Sequence, residues 1–522
     1  MIGQDGVVAA RALEAPAWPR RRAGAPQPKA PQARNSSRRA AFHSPRPPLR
    51  AVEFARAPRI SPRVFVGLVG IAEFALLAAL GFLIAYCYVA EFLRQYVAAL
   101  TLTGLVAVGL FQALGLYRIA TLARMDRQLP RLLLGWSATL AVLLCAIFFV
   151  KAGAVFSRAW LALWFLTGIA GLCAFRAGIG ALTRRGLGAG TLSRRAAIYG
   201  AGQPCEGLLS ALDTGPDSDL KICGVFDDRG EHRAQESVAG CPKLGDLQAL
   251  ISYCRSMHID LLIVALPLSA ERRVLEIIKK LWVLPVDIRL AGQTSTLRFR
   301  PRAYSFVGNV PLLDIIDKPI TDWNVVIKRA FDIIGAALAS IALAPVMALV
   351  ALAIKLDSPG PVLFRQKRYG FNNELIEVFK FRSMYADKAD AAARQLVSKH
   401  DVRVTKVGRL IRKTSLDELP QLFNVLRGEL SLVGPRPHAL QAKAANELYH
   451  DVVDGYFARH KVKPGITGWA QVNGWRGETD TPEKIHKRVE HDLYYIDNWS
   501  VLLDLYILLR TPLALLSAKN AY

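Results

Sequence analysis

Four apolar runs of bilayer length, a βαβ-patterned stretch behind them and a fifth apolar run with a central proline predict a membrane protein of α and α/β class. The expected architecture is a four-helix transmembrane bundle, a Rossmann-like α/β domain, and a monotopic α/β domain held by a re-entrant membrane helix. The boundaries read as a basic tail over 1–60, four transmembrane helices over 61–185 and a Rossmann-like domain over 190–320. A last domain covers 325–522, with the re-entrant helix at about 331–355.

The first 60 residues are rich in Pro, Ala and Arg, as in RRRAGAPQPKAPQARNSSRR, and lack hydrophobic periodicity, which predicts disorder. The segment reads as a solvated tail or as residues ahead of the true start. No cleavable signal peptide is expected, because the first long apolar run begins near residue 64. The net charge of +25 over 522 residues calls for anionic partners. The cysteines, Cys87, Cys145, Cys173, Cys205, Cys223, Cys241 and Cys254, form no CxxC pair. Neither a zinc site nor a disulfide framework is expected, which fits a reducing compartment.

The four apolar runs lie at roughly 64–89, 96–116, 131–151 and 159–180, each near the ~20 residues needed to cross a bilayer. Arginines gather before the first (Arg50, Arg56, Arg59, Arg63), between the second and third (Arg118, Arg124, Arg127, Arg131) and after the fourth (Arg184, Arg185, Arg194, Arg195). The positive-inside rule puts both ends of the bundle in the cytoplasm.

The stretches RRAAIYGAG, LKICGVFDD, IDLLIVALP and LPVDIRLAG then read as short buried strands alternating with helices such as ERRVLEIIKKLW, a parallel-sheet pattern. The first turn holds Gly200 and Gly202, but Cys205 stands where a dinucleotide fingerprint needs glycine or alanine. Asp227 and Asp228 are candidates for a ribose hydroxyl. A degenerate, structural or regulatory domain is the expectation.

The fifth apolar run is FDIIGAALASIALAPVMALVALAI, 331–354. Lys328 and Arg329 precede it, and Lys355, Arg365, Lys367 and Arg368 follow it, so both ends look cytoplasmic. Pro345 removes a backbone hydrogen bond at mid-run. A helix that enters one leaflet, bends at Ala344-Pro345 and returns satisfies both; a kinked through-span is the alternative.

The stretch TSLDELPQLFNVLRGELSLVGPRP sets Asp417 and Glu418 among Arg403, Lys406, Arg409, Arg412, Lys413 and Arg436. Ser415 and Glu418 have the spacing of a capping box, which would seat both carboxylates in a helix's first turn. On these residues alone, a structural cap and a functional acidic pair both remain open.

Around that stretch the chain reads KRAFDIIG, KLDSPGPVLFRQKRYG, VFKFRSM and KPGITGWAQVNGWRG, in that order. Residues 325–522 thereby resemble the bacterial sugar transferase family, the polyprenyl-phosphate hexose-1-phosphate transferases. The run NGWRGETDT (473–481) is most similar to members that transfer glucose-1-phosphate from UDP-glucose. The resemblance implies a monotopic catalytic domain whose membrane helix bends at a Ser-Pro pair; this chain has Ala344-Pro345. It implies Asp417 as nucleophile, with Asp417 and Glu418 as holders of Mg²⁺, and Lys380, Arg412 and Arg436 as phosphate-binding residues. Pro435, Pro437, Gly465, Thr467, Gly468, Gln471 and Asn473 are candidates for the nucleotide and sugar loop, with Gly465 and Gly468 alternatively serving turn geometry. The implied partners are a UDP-sugar, undecaprenyl phosphate and membrane lipids, with no nucleic acid; self-association stays open. The implied place is the bacterial inner (cytoplasmic) membrane, with the catalytic domain on the cytoplasmic face.

Arg382, Arg409 and Lys413 read equally as solvated residues or as phosphate contacts. His460, His486 and His491 read as exposed or capping, since phosphoryl transfer to a carboxylate needs no histidine. The apolar run over 500–518 suits the membrane interface or the core of the last domain. Two other functions fit parts of the chain. A membrane-anchored nucleotide-sugar dehydratase or epimerase needs a Tyr-x-x-x-Lys pair, and no tyrosine here has lysine four residues on. A non-catalytic polysaccharide-export scaffold would tolerate replacement of Asp417. A glycosyltransferase would release UDP rather than UMP.

Overall fold

In the computed structural model of the protein, the residues described are 61–88, 94–212, 220–229, 237–267, 270–291, 304–307, 310–386, 401–438, 443–444, 447–449, 453, 455–475, 477 and 481–516. The basic tail and part of the NGWRGETDT run lie outside them.

The first four apolar runs form helices α1 (Pro62–Tyr88), α2 (Arg94–Ala113), α4 (Met125–Phe149) and α5 (Arg158–Ala189), with a short α3 (Ile119–Leu122) before the third. Each is long and apolar enough to cross a membrane. Helix α1 packs on α2 and α5, and α4 on α2 and α5. The contacts are apolar and hydrogen-bonded: the Trp160 indole donates to Gly81 O at 2.9 Å, and the Trp164 indole to Leu77 O at 3.0 Å. Glu73 and Arg176 form a fully buried ion pair between α1 and α5, completed by the Tyr117 hydroxyl at 2.7 Å. Without water, such charges persist only when paired.

The βαβ pattern folds as read. Strands β1 (Arg194–Tyr199), β2 (Leu220–Phe226), β5 (Leu261–Val264) and β6 (Asp287–Ala291) coincide with the apolar runs, and helices α6 (Gln203–Ala211), α7 (Leu247–Met257) and α8 (Glu271–Leu281) alternate with them. Including β3 (Ser237–Val238), β4 (Cys241–Gly245), β7 (Tyr304–Val307) and β8 (Val310–Ile316), the sheet order is β3-β4-β2-β1-β5-β6-β8-β7. The centre is parallel, while β3, β8 and β7 add antiparallel edges. Alternate residues of the central strands enter two separate cores, so both sheet faces are covered.

Helix α9 (Asp322–Asp357) carries the fifth apolar run and continues through Pro345. At 1.5 Å per residue its 36 residues have a path length along the axis of about 54 Å. Leu338, Ile341, Leu349, Leu352 and Leu356 along it are exposed. Its ends are not. Near the start, buried Lys328 pairs with Asp504 at 2.7 Å and donates to Val433 O, while Arg329 donates to Val425 O and Leu426 O. These two basic residues therefore anchor the helix instead of standing free beside a headgroup. Near the other end, Val350 and Ile354 pack with Phe381 and Ile411.

Beyond α9 come the hairpin β9 (Leu363–Tyr369) and β10 (Leu375–Phe381), helices α10 (Lys406–Thr414) and α11 (Gln421–Arg427), and β11 (Ser431–Val433). Strand Gly465–Thr467 pairs parallel with β11. Helices Pro482–Asp497 and Val501–Leu516 close the domain. The last buries Asp504 and Ile507 and exposes Leu502, Leu505, Leu509 and Leu513, so its run serves both core and surface.

Candidate active site

The β9–β10 register pairs Phe364 with Lys380, Gln366 with Val378 and Arg368 with Ile376, so Lys380 and Arg368 lie on one face of the hairpin. Fully buried Asn424 of α11 donates to Glu377 O at 2.7 Å and accepts from Phe379 N at 2.9 Å. That clamp brings α11, and the turn Leu416–Glu418 just before it, against Lys380.

The turn is not the start of a capping box. Ser415 sits in the left-handed region at φ 60° and ends α10, its N–H bonded to Arg412 O. The Leu416–Glu418 turn is a single 3₁₀ turn without a side-chain cap. Glu418 instead turns to the cations. Its Oε1 accepts from Lys380 Nζ at 2.9 Å, and Arg436 grips both carboxylate oxygens, Nη1 to Oε2 at 3.0 Å and Nη2 to Oε1. A two-pronged guanidinium–carboxylate pair fixes geometry as well as charge. Among the described residues, the Asp417 carboxylate takes up no hydrogen bond or ion pair.

Electrostatics separate the two carboxylates. Burial pushes the Asp417 carboxyl up, and the opposing charges of Lys380, Arg412 and Arg436 do not bring it back to the ordinary range. Burial also pushes Glu418 up, but Arg436 and Lys380 outweigh it and hold it well below the usual range. Burial lowers Lys380, and it lowers Arg368 to about 10 with help from neighbouring Arg436. A carboxylate that is buried but not hydrogen-bonded is the better nucleophile of the pair.

The GPRP stretch is held from behind. Gly434 N donates to Thr467 O and Gly465 N to Pro435 O. A Cβ at Gly465 would lie 2.1 Å from Gly434 N, and one at Gly468 would lie 2.3 Å from Gly434 O. Both glycines therefore serve backbone approach to the Arg436 loop. The Thr467 hydroxyl is buried against Thr511 at 2.8 Å, and Asn473 bonds Trp469 O at 2.8 Å. Pro435 and Pro437 are buried, and Pro437 O accepts from Arg368. Among the described residues, buried Gln471 Oε1 has no hydrogen-bond partner. Arg412 is half-buried beside Asp417, whereas Arg409 and Lys413 are exposed.

Two readings are corrected. Arg382 is buried and donates to Pro359 O, Ser358 O and Ser358 Oγ, capping the end of α9. His460 is buried rather than exposed; burial and the Arg459 charge lower it to about 3 and keep it neutral. His486 is exposed, and His491 is half-buried with its Nδ1 2.8 Å from Lys487 O.

The sequence reading missed a buried supporting network. Arg459 pairs with Asp492 and donates to Arg436 O at 2.8 Å. His438 Nδ1 meets the Tyr456 hydroxyl at 2.7 Å, and burial with Arg459 beside it keeps His438 neutral. Arg488 donates to Trp475 O and Gly477 O. Arg368 had a signal, its period-2 spacing from Gln366 and Phe364; Arg459 and Asp492 had none, being 33 residues apart.

In the parallel-sheet region, Asp227 Oδ2 accepts from Ala201 N at 2.8 Å and Asp227 Oδ1 from Arg229 N. Asp228 accepts from Leu247 N and pairs with Arg273. The chain's own carboxylate thus takes the Ala201 N–H of the glycine loop, one of the donors that a phosphate at this turn would meet.

Residues 323–518 match the family described as bacterial sugar transferase, and residues 112–292 match one described as a CoA-binding domain. The chain is 42% identical over 332 residues to an undecaprenyl-phosphate glucose phosphotransferase of Komagataeibacter xylinus, covering 63% of this chain and 60% of that protein. It is 38% identical to a UDP-glucose:undecaprenyl-phosphate glucose-1-phosphate transferase of Escherichia coli (strain K12), over 81% of this chain and 89% of that protein. A protein of the same name from Klebsiella pneumoniae is 36% identical, over 83% and 93% of the two chains.

Proposed function

We propose that this chain, which belongs to the bacterial sugar transferase family, transfers a hexose-1-phosphate, glucose-1-phosphate in particular, from a UDP-sugar to undecaprenyl phosphate and releases UMP. It is a sugar-phosphate transferase, and the reaction would open the assembly of an exopolysaccharide repeat unit.

The observation that carries the reading is the division between the two carboxylates. Glu418 is locked by Arg436 and Lys380, and Asp417 is left to react. Asp417 attacks the β-phosphorus; a P–O bond forms, the bond to the bridging oxygen breaks, and UMP departs with that oxygen. An aspartyl-phosphosugar remains. A phosphate oxygen of the lipid then attacks the same phosphorus, the aspartyl bond breaks, and the carboxylate is restored. Lys380, Arg412 and Arg436 bind the phosphoryl oxygens from the substrate complex onward and hold them through both steps.

Asp417 fits Mg²⁺ in kind, a carboxylate that takes up no hydrogen bond among the described residues and that the substrate's phosphates would complete; both Glu418 oxygens are held by Lys380 and Arg436, so Glu418 would join the ion only by releasing one of those cations. Among the described residues no group of three or more His, Cys, Asp or Glu forms a metal cage, consistent with an ion shared with substrate. Bound there, the ion would neutralise diphosphate charge.

The re-entrant reading of α9 is part of the proposal. Both ends of the helix pack on the same α/β domain, Lys328 on Asp504 and Ile354 with Phe381, while its middle exposes leucine and isoleucine. Together with the arginines flanking the four-helix bundle, this supports a catalytic domain on the cytoplasmic face of a bacterial inner membrane.

The test is nucleotide release by the full-length protein in detergent with UDP-glucose, undecaprenyl phosphate and Mg²⁺. The expected product is UMP, lipid-dependent and lost in Asp417→Asn. UDP release, or undiminished UMP release by Asp417→Asn, would overturn the reading.

A further inference from the structure

The 3₁₀ turn Tyr456–Lys461 supplies two supports of the active site, and it is braced by a residue from outside the catalytic domain. Arg459 of this turn is fully buried and donates to Arg436 O, and Tyr456 meets His438. Arg436 in turn grips Glu418. Trp282, which ends α8 of the parallel-sheet domain, lies across both ends of the turn. A Cβ at Gly455, the residue before the turn, would fall 2.1 Å from the Trp282 ring, and Gly455 has φ +74°, a conformation that favours glycine. Lys461, the last residue of the turn, holds its Nζ 5.0 Å from the same ring's centroid.

A second contact lies alongside. Asn372 Nδ2 donates to Arg255 O at 3.3 Å, and His258 approaches Glu374 at 3.8 Å. Asn372 and Asn373 both adopt positive φ to meet this surface, and Asn373 reaches His460 of the same turn. The sheet domain therefore touches the catalytic domain where the Arg436 support is built.

We propose that Trp282 is a positioning residue of the transfer reaction: by clamping Gly455 and Lys461 it holds the turn whose Arg459 keeps Arg436 aimed at the substrate diphosphate. The parallel-sheet domain thereby gives mechanical support to the phosphate site. This rests on the reading of Arg436 as a phosphate-binding residue.

The experiment uses the full-length protein in detergent and compares Trp282→Ala, Trp282→Phe and Gly455→Ala. The expected result for Trp282→Ala and Gly455→Ala is a KM for UDP-glucose raised by about tenfold, the weakening of one charge-assisted hydrogen bond, with kcat within about twofold. Trp282→Phe, which keeps a flat ring over Gly455, restores the wild-type KM. A variant that only misfolds in part lowers kcat and leaves KM alone, and that pattern overturns the proposal, as does a wild-type KM in Trp282→Ala. A calorimetric Kd for UDP-glucose, taken with and without Trp282→Ala in an Asp417→Asn background, gives the same comparison without turnover. The expected weakening is again about tenfold, and an unchanged Kd overturns the proposal. Turnover by Asp417→Asn itself would instead refute the nucleophile assignment, a separate failure.

Discussion

Replacing each carboxylate of the pair by its amide should separate stability from activity. Glu418→Gln removes the negative charge between Lys380 and Arg436 in a side chain only 16% exposed. Three cations, Lys380, Arg436 and Arg368, are then left facing one another in a partly dry site. Breaking a fully buried pair costs ~3–5 kcal/mol; the residual solvent contact brings the expected loss to about 2–3 kcal/mol. For a domain of this size that is a Tm lower by roughly 5–10 °C. Asp417→Asn works in the opposite direction. Its carboxyl is held above the ordinary range by burial, so the folded state is disfavoured by ionisation at neutral pH. The amide removes that cost, and Tm should stay level or rise. The pH dependence follows with opposite signs. Glu418 is depressed in the fold, so its stabilisation is present above the unfolded pKa and is lost as pH falls through the folded one. The gap between wild type and Glu418→Gln should therefore narrow on acidification. The assay is thermal unfolding of each purified variant beside its UMP release. Equal Tm losses for the two variants, or a wild-type Tm for Glu418→Gln, would refute this division of roles.

Other outcomes follow from the same geometry. Arg436→Lys keeps the charge but loses the two-pronged grip, and kcat/KM should fall ~10- to 100-fold with little change in Tm; a wild-type value would remove Arg436 from the phosphate site. The acid limb of kcat/KM should lie above the ~4 of an ordinary aspartate, because Asp417 must be ionised to attack and burial raises it; a limb at or below that value contradicts the assignment. Arg382→Ala should lower Tm by uncapping α9 while sparing KM for UDP-glucose, and a raised KM would reopen a substrate role. Single cysteines at the exposed positions Asn324 and Pro361, in a background without the native thiols, should be labelled from the same side of inverted vesicles; labelling from opposite sides would make α9 a through-span.

The apolar helices and the central strands were legible because each is written in local periodicity: runs such as IDLLIVALP are buried on both faces, and the order of such runs dictates a parallel sheet. The cluster of Asp417, Glu418, Lys380 and Arg436 was legible through motif order, which carries the three-dimensional pairing that spacing alone does not. The capping box failed because Ser415 is spent in ending α10. Arg459, Asp492, His438 and Arg488 escaped notice because buried charges are chosen by long-range partners, and nothing adjacent to Arg459 announces Asp492. Arg382 read as solvated or as a phosphate contact since an alternating strand pattern does not reveal that the chain turns back under α9.

The most direct test of the central claim is a search for the covalent intermediate. Full-length protein is incubated with UDP-glucose and Mg²⁺ in the absence of lipid, quenched in acid, and its mass measured intact and after proteolysis. The account predicts a gain of one hexose phosphate on the peptide containing Asp417, discharged on adding undecaprenyl phosphate and absent from Asp417→Asn. UMP release by the wild type with lipid present, but with no adduct at any time after mixing, would contradict it.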